Sequence, residues 1–395
     1  MWVCHFSREE IIMKGFNVVL FWYMNDWGKY GRAYEKIAEN LANQNNILRV
    51  LCILPPVRIQ GVYRFYPFVS ERISKKLIVL TPNRRVIPLR FAPGIIGEKA
   101  NDFFFSFSVS CFMKLLSFTE DNTMLWVFPP HSYINYLRVL IPYKVFITQF
   151  VDSNIYKEDD PPEKIAFAKN QYEELARDSD IVITSSKLNF DYFSPMNPNC
   201  YLFENAVDPA FIADPSAFPY LVNGRRPRLG YTGYISERTD IDLLEHIAKM
   251  RPDYDLILAG PVEIPQTEFK KLKLANVHYE GIIPYGKMPA FLRSLDICLI
   301  PHRDTQFSRS MSPLKLFQYL ASGRPIVSTK VAGVERWDRF ISIAENHEDF
   351  IEKIDETMEI DTIEKSSKRV EAAKVETWDR RVKEMVDTIS GLIRN

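Results

Sequence analysis

The stretch SPLKLFQYLASGRPIVST, Ser312–Thr329, decides how this chain folds and raises a question about charge. Serine is a good N-cap, proline suits the first turn of a helix, and glycine suits its left-handed stop. The spacing therefore predicts a helix from about Pro313 to Ser322, followed by a strand at Pro325–Thr329. Leu316, Phe317 and Leu320 face a core, while Lys315, Gln318 and Ser322 share one stripe. Lys315 then falls in the first turn, where the helix dipole is already positive and a cation costs about a few tenths of a kcal/mol or more. A phosphate held at the same helix end would account for it. The plainer alternative, a solvated lysine on a surface helix, is weakened by the apolar residues that bury both flanks.

Outward from this stretch the chain alternates strand with helix, which implies an α/β fold of parallel sheets covered by helices. In the first half Asn17–Tyr23, Leu48–Leu54, Leu77–Pro82, Met124–Phe128, Lys144–Phe150, Asp180–Ser186 and Cys200–Asn205 read as strands, with helices at Arg32–Asn43 and Pro162–Arg177. In the second half Arg228–Gly233, Tyr254–Gly260, Val277–Gly281, Ile297–His302, Pro325–Thr329 and Phe340–Ala344 repeat the alternation. The segment Asn205–Pro227, rich in proline and small residues, reads as the linker. From Thr377 the tail has helical spacing, with Val382, Met385, Val386, Ile389 and Ile393 on one face.

At 395 residues two domains are the expectation. Fifty basic and fifty acidic residues cancel, which argues against a general nucleic-acid binder. The five cysteines lie far apart with no paired spacing for zinc or a redox motif, as in a cytosolic protein, and most read as core residues. The first residues carry acids where a secretory leader wants bases, and Phe16–Met24 is too short to span a bilayer. Residues 1–13 read as an extension.

Ligands of parallel sheets bind beyond the carboxyl ends of the strands. Three strand ends here carry glycine before a loop or helix: Gly230 and Gly233, Gly260 with Glu263 behind it, and Gly281 ahead of a helix near Lys287 or Met288. Each alone is a common structural turn. In order, however, GYTGYISERTD, NVHYEGIIPYGKMPAFLRSLDICLIPHR and SPLKLFQYLASGRPIVST resemble the donor half of GT-B-fold glycosyltransferases, near family 4 and its relatives, including inverting glucuronosyltransferase-like members, and WDRRVKEMV resembles their last helix. The resemblance covers nearly all of Arg228–Met385.

It implies two Rossmann-like domains facing each other across a cleft, with acceptor binding at 14–210, nucleotide-sugar binding at 211–376, and a last helix at 377–395 that crosses back to the first domain. It also implies donor contacts from Gly233, Arg238, Glu263, Ile283, Tyr285, Arg309, Ser312, Lys315, Leu316 and Gln318. Lys315, Arg238 and Arg309 would stabilise the leaving diphosphate. Many retaining members have two glutamates eight positions apart on this segment. Here those positions hold Ser310 and Gln318, an arrangement closer to the Lys-Leu-x-Gln pattern of some inverting relatives.

Inverting transfer needs a base for the acceptor hydroxyl. Asp152, just past the strand ending at Phe150, resembles the acidic position in similar transferases, and His131 competes with it. Gly28 and Gly31, in the first strand-to-helix loop, would let backbone approach the sugar or acceptor, though a structural turn reads equally well. No metal or other cofactor is expected, since Asp240-x-Asp242 reads as helix capping. Residues 58–118 carry ten lysines and arginines against three acids, interleaved with aromatics. That span reads as attraction to an anionic membrane surface, at roughly 1 kcal/mol per basic residue, with a solvated rim over core aromatics as the plainer alternative.

The resulting expectation is a glycosyltransferase at the inner face of the cell membrane. It would move a sugar, most commonly UDP-linked, to a lipid-linked or saccharide acceptor in surface polysaccharide or glycolipid synthesis. A 2-epimerase-like enzyme and a non-catalytic GT-B binding module are the alternatives.

Overall fold

The computed structural model describes residues 15–61, 63, 66–83, 95–157, 160–214 and 225–394. The expected N-terminal extension lies outside them, as do Cys4, Arg64, Arg84, Arg85 and Arg90 and residues 215–224 of the expected linker.

The first sheet has eight strands in the order β3-β4-β2-β1-β5-β6-β7-β8. They are β1 (Phe16–Phe21), β2 (Ile47–Ile53), β3 (Phe68–Arg72), β4 (Leu77–Pro82), β5 (Thr123–Val127), β6 (Val145–Phe150), β7 (Ile181–Thr184) and β8 (Cys200–Leu202). β3 runs antiparallel to β4, whereas β1 runs parallel to both β2 and β5. The second sheet, ordered β11-β10-β9-β12-β13-β14, is parallel throughout. Its strands are β9 (Arg228–Thr232), β10 (Asp255–Ala259), β11 (Val277–Tyr279), β12 (Ile297–Ile300), β13 (Ile326–Thr329) and β14 (Ser342–Ala344).

The helices among these strands are α1 (Ala33–Asn43), α2 (Ile95–Leu115), α3 (Tyr133–Leu140), α4 (Pro162–Asp178), α5 (Lys187–Phe193), α6 (Ile241–Met250) and α7 (Gln266–Phe269). They continue with α8 (Met288–Arg293), α9 (Gln306–Arg309), α10 (Leu314–Ser322), α11 (His347–Ile360), α12 (Ile363–Lys374) and α13 (Trp378–Arg394). Every strand expected from the sequence forms. β3 was not expected, because its edge position leaves Ser70, Glu71 and Arg72 exposed and gives it no buried apolar run.

The second sheet is buried on both faces, and its alternation shows it. Leu256, Leu258, Ile297 and Leu299 point into one core with Leu243, Leu244 and Phe350. Ile257, Cys298 and Ile300 point into the other with Leu316, Phe317 and Leu320 of α10. Val207 and Phe211 join this second core, so the start of the expected linker is packed structure. Cys52, Cys200 and Cys298 are buried, and burial pushes the Cys200 and Cys298 thiols up to about 12; Cys111 is exposed.

By internal contacts the chain divides into two compact units. One holds the described residues up to Asn25 with Ala38–Thr148 and Ser179–Ile181. The other holds Asp26–Ile37, Gln149–Asp178 and everything from Val182 onward. The loop leaving β1 and the segment leaving β6 therefore share a unit with the second sheet.

The helix that opened the sequence reading starts one residue late. α10 begins at Leu314, with Pro313 at its N-cap and no side-chain cap. Ser312 does not cap it: its hydroxyl accepts from the Asn205 amide at 3.1 Å, and its carbonyl accepts from Asn205 Nδ2 at 2.7 Å. A tertiary partner has taken the hydroxyl that local geometry would spend on the helix. The other end is as expected, with Gly323 at φ +73°.

Candidate active site

Lys315 occupies the second position of α10. Its Nζ donates to His302 Nε2 at 2.9 Å and lies 3.9 Å from the centre of the Tyr231 ring. Burial, with the Arg238 guanidinium adding to it, holds the amine well below the usual lysine range. His302 lies two residues past β12, is 8% exposed, and is held well below the usual histidine range by burial, then Lys315, then Arg238. Gly233 ends β9 with φ +127°, and a Cβ there would meet Lys315 Nζ at 3.1 Å. Only glycine satisfies both the backbone angle and the amine.

The loop after Gly233 is held by Tyr231, whose hydroxyl donates to the Tyr234 carbonyl at 2.8 Å and lies 3.1 Å from Thr239 Oγ1. Arg238, half-buried on this loop, rests on the Met311 thioether and over the Phe307 ring. Asp240 caps α6 by accepting from the Leu243 amide, and Asp242 is exposed and paired with Lys271, so this acidic pair is spent on structure.

Asp152 follows β6 in the same compact unit. Burial raises its carboxyl above the usual aspartate range, opposed by Arg238, Arg32 and Lys157. Among the described residues its carboxylate makes no side-chain hydrogen bond. The backbone around it is tied down instead. Ser185 Oγ donates to Val151 O at 2.6 Å, Tyr172 Oη donates to Asp152 O at 3.3 Å, and the Ser153 amide donates to Ser310 Oγ at 3.1 Å. Arg32 donates to Asp26 at 2.8 Å and to Tyr234 Oη at 2.9 Å, with its guanidinium 4.8 Å from the Tyr234 ring centre. Glu263, after β10, is raised by burial and by Glu237.

The expected residues therefore have different surroundings. Gly233, Arg238, Lys315 and Asp152 interact with one another directly or through charge. Gln318 is half-buried on the same stripe of α10, whereas the Leu316 side chain is enclosed in the core. Ile283 is half-buried in the loop before a short 3-10 turn at Tyr285–Lys287. Tyr285 packs on Phe211, carries Lys36 Nζ 4.6 Å from its ring centre, and fills the space where a Gly31 Cβ would lie. Gly31 is thus a packing glycine, and Gly28 has open space around it.

Arg309 is half exposed, and its fork is spent on Asp304 at 2.8 and 2.6 Å. His131 belongs to the other unit, where its Nδ1 accepts from the Tyr133 amide at the start of α3 and its ring packs on Phe21. Sequence reasoning missed His302, Tyr231, Tyr234 and Arg32 as site residues. The signal for His302 and Arg32 was position, one just past a strand and the other beside two glycines. Tyr231 and Tyr234 carried none.

Residues 238–387 match the sequence family described as Glycosyl transferase-like. TuaH of Bacillus subtilis (strain 168), named as a glycosyltransferase of teichuronic acid biosynthesis, is 27% identical over 113 residues, a match that spans 28% of each chain. Sucrose-phosphate synthase from Thermosynechococcus elongatus superimposes with a TM-score of 0.70 at 14% identity, covering 96% of this chain and 99% of that one. Anabaena HepE, solved with UDP and glucose, gives 0.63 at 13% identity, covering 94% and 99%. The chain has the GT-B glycosyltransferase fold, two Rossmann-like α/β domains, and its residues 238–387 carry the glycosyl transferase-like sequence.

Proposed function

We propose that the chain is a glycosyltransferase whose donor is a nucleotide sugar, most simply UDP-linked, with the diphosphate held by Lys315, Arg238 and the backbone at Gly233. One observation carries this reading. The Lys315 amine is half-buried at an electropositive helix end, beside another cation and a neutral histidine, with no carboxylate acting on it. A diphosphate would supply the missing negative charge and favour the amine's protonated form. The HepE complex with UDP and glucose supports a nucleotide donor of this class.

In the reaction, an acceptor oxygen forms a bond to the anomeric carbon as that carbon's bond to the diphosphate oxygen breaks. The electron pair leaves on the diphosphate, where Lys315 and Arg238 stabilise it. Asp152 takes the acceptor proton. Its raised pKa and uncommitted carboxylate suit a base, and the fixed backbone holds it in place.

The acceptor in this reading is a saccharide or a lipid-linked saccharide, with the enzyme resting on the cytoplasmic face of an anionic membrane. In residues 58–118, Phe103 and Phe107 are 65% and 61% exposed and stack at 6.4 Å, and Leu115 is 82% exposed. Among the described residues no helix is long and apolar enough to cross a membrane.

A thermal-shift screen of nucleotide sugars followed by product analysis tests the proposal. A true donor raises the melting temperature by mass action and is consumed only when an acceptor is present. Conversion of the donor without an acceptor would favour the epimerase reading, binding without turnover would favour the module, and a Lys315→Ala variant with full nucleotide affinity would overturn the site.

A further inference from the structure

Ser310 stands where many retaining relatives are expected to carry a glutamate, and its surroundings give it a different task. Its side chain is fully buried, so it cannot meet a substrate. Its hydroxyl donates to the Phe307 carbonyl at 2.7 Å and accepts from the Ser153 amide at 3.1 Å, the residue after Asp152. Its carbonyl accepts from Ser186 Oγ at 2.8 Å and Asn189 Nδ2 at 2.9 Å. Ser185, beside Ser186, holds the Val151 carbonyl at 2.6 Å. Three strand-end segments, after β6, β7 and β12, are thereby tied at one buried residue, and Asp152 lies between the two backbone positions that the tie fixes.

Resting on the reading of Asp152 as the base, we infer that Ser310 is a positioning residue. It aims the Asp152 carboxylate at the acceptor hydroxyl by clamping the Ser153 amide. The clamp is specific to a short hydroxyl side chain. Alanine leaves the buried amide unpaired and the loop free to shift, and displacements near 1 Å cost about 100-fold in rate.

The test combines kinetics with amide exchange on the full chain. Ser310→Ala should lower kcat about 10- to 100-fold at unchanged donor KM, because it loosens the base and not the donor site. Ser310→Thr, which keeps the hydroxyl, should recover most of the loss. Placed on Asp152→Asn, Ser310→Ala should cost less than about twofold, since it acts through the missing carboxylate. Hydrogen exchange of peptides spanning 151–156 should quicken in Ser310→Ala while the second sheet stays protected.

An unchanged kcat, an equal loss in the Asp152→Asn background, or unchanged exchange at 151–156 would each overturn the clamp. A wild-type chain that transfers sugar from no nucleotide sugar would overturn the functional reading instead, and the exchange measurement would still decide the clamp.

Discussion

Two sets of charge in this molecule make an instructive pair. Arg369 within α12 and Asp361 just before it are 4% and 7% exposed and joined by two bonds of 2.8 Å, with Nε and Nη2 of the guanidinium also donating to the Gly323 carbonyl. At the strand ends of the candidate site, Lys315 and Asp152 are half-buried, and there Lys315 meets a neutral histidine and the Tyr231 ring while Asp152 makes no side-chain bond among the described residues. The first set is closed: four of the five guanidinium N–H groups have acceptors, and the carboxylate is held by two of them. The second set is open, a cost to the fold that the substrate of the proposed reaction would offset.

The largest expected effects fall on the two sides of this contrast. Arg369→Ala should cost about 3–5 kcal/mol of stability in denaturant melts by stranding Asp361, while the folded fraction still binds nucleotide normally. Asp152→Asn should do the reverse, lowering kcat about 10²- to 10⁴-fold without destabilising the fold. Because burial raises this carboxyl in the fold, its ionised form weakens stability above the folded pKa, so removing the charge should raise the melting temperature at neutral pH. A variant that loses both stability and rate would break the comparison.

Next in size is Lys315→Ala, expected to lower kcat about 10²- to 10³-fold and to abolish the nucleotide-dependent thermal shift. It too should stabilise the ligand-free protein. The folded amine has a depressed pKa, so the unfolded chain binds more protons between the two values, and stability rises with pH across that window. The same sign sharpens the ligand experiment. Diphosphate raises the pKa, binding takes up a proton, and affinity should weaken as pH rises through the amine's depressed pKa, measurable by calorimetry in buffers of different ionisation heat. The smallest effect belongs to Arg309→Ala. This cation lies six positions from Lys315 but is spent on exposed Asp304, and melting temperature and nucleotide affinity should both match wild type.

Much of the fold was legible because its signals are local. Short apolar runs ended by glycine marked β9, β10 and β11, and Gly323 marked the end of α10 within one residue. β3 was missed because an exposed edge strand lacks that alternation. The site was legible in part. Lys315 stood out because its charge conflicts with its own helix, and Asp152 because it follows a buried strand. Ser312 misled, since its hydroxyl meets Asn205, 107 positions away in the chain. Tyr231, which props the loop after Gly233, looked like any strand tyrosine.

The sequence by itself determined the strand-helix alternation, the Gly-bounded strand ends and the misfit of Lys315, since each depends on neighbours within about a turn or two of chain. Only the tertiary structure decided which charges are spent and which are free. Arg309 and Lys315 look equally available in the chain, yet one is claimed by Asp304 and the other is set beside His302 and Tyr231. Desolvation and pairing are properties of what surrounds a group in space, and the residues that surround Lys315 and Asp152 come from the ends of strands far apart in the chain.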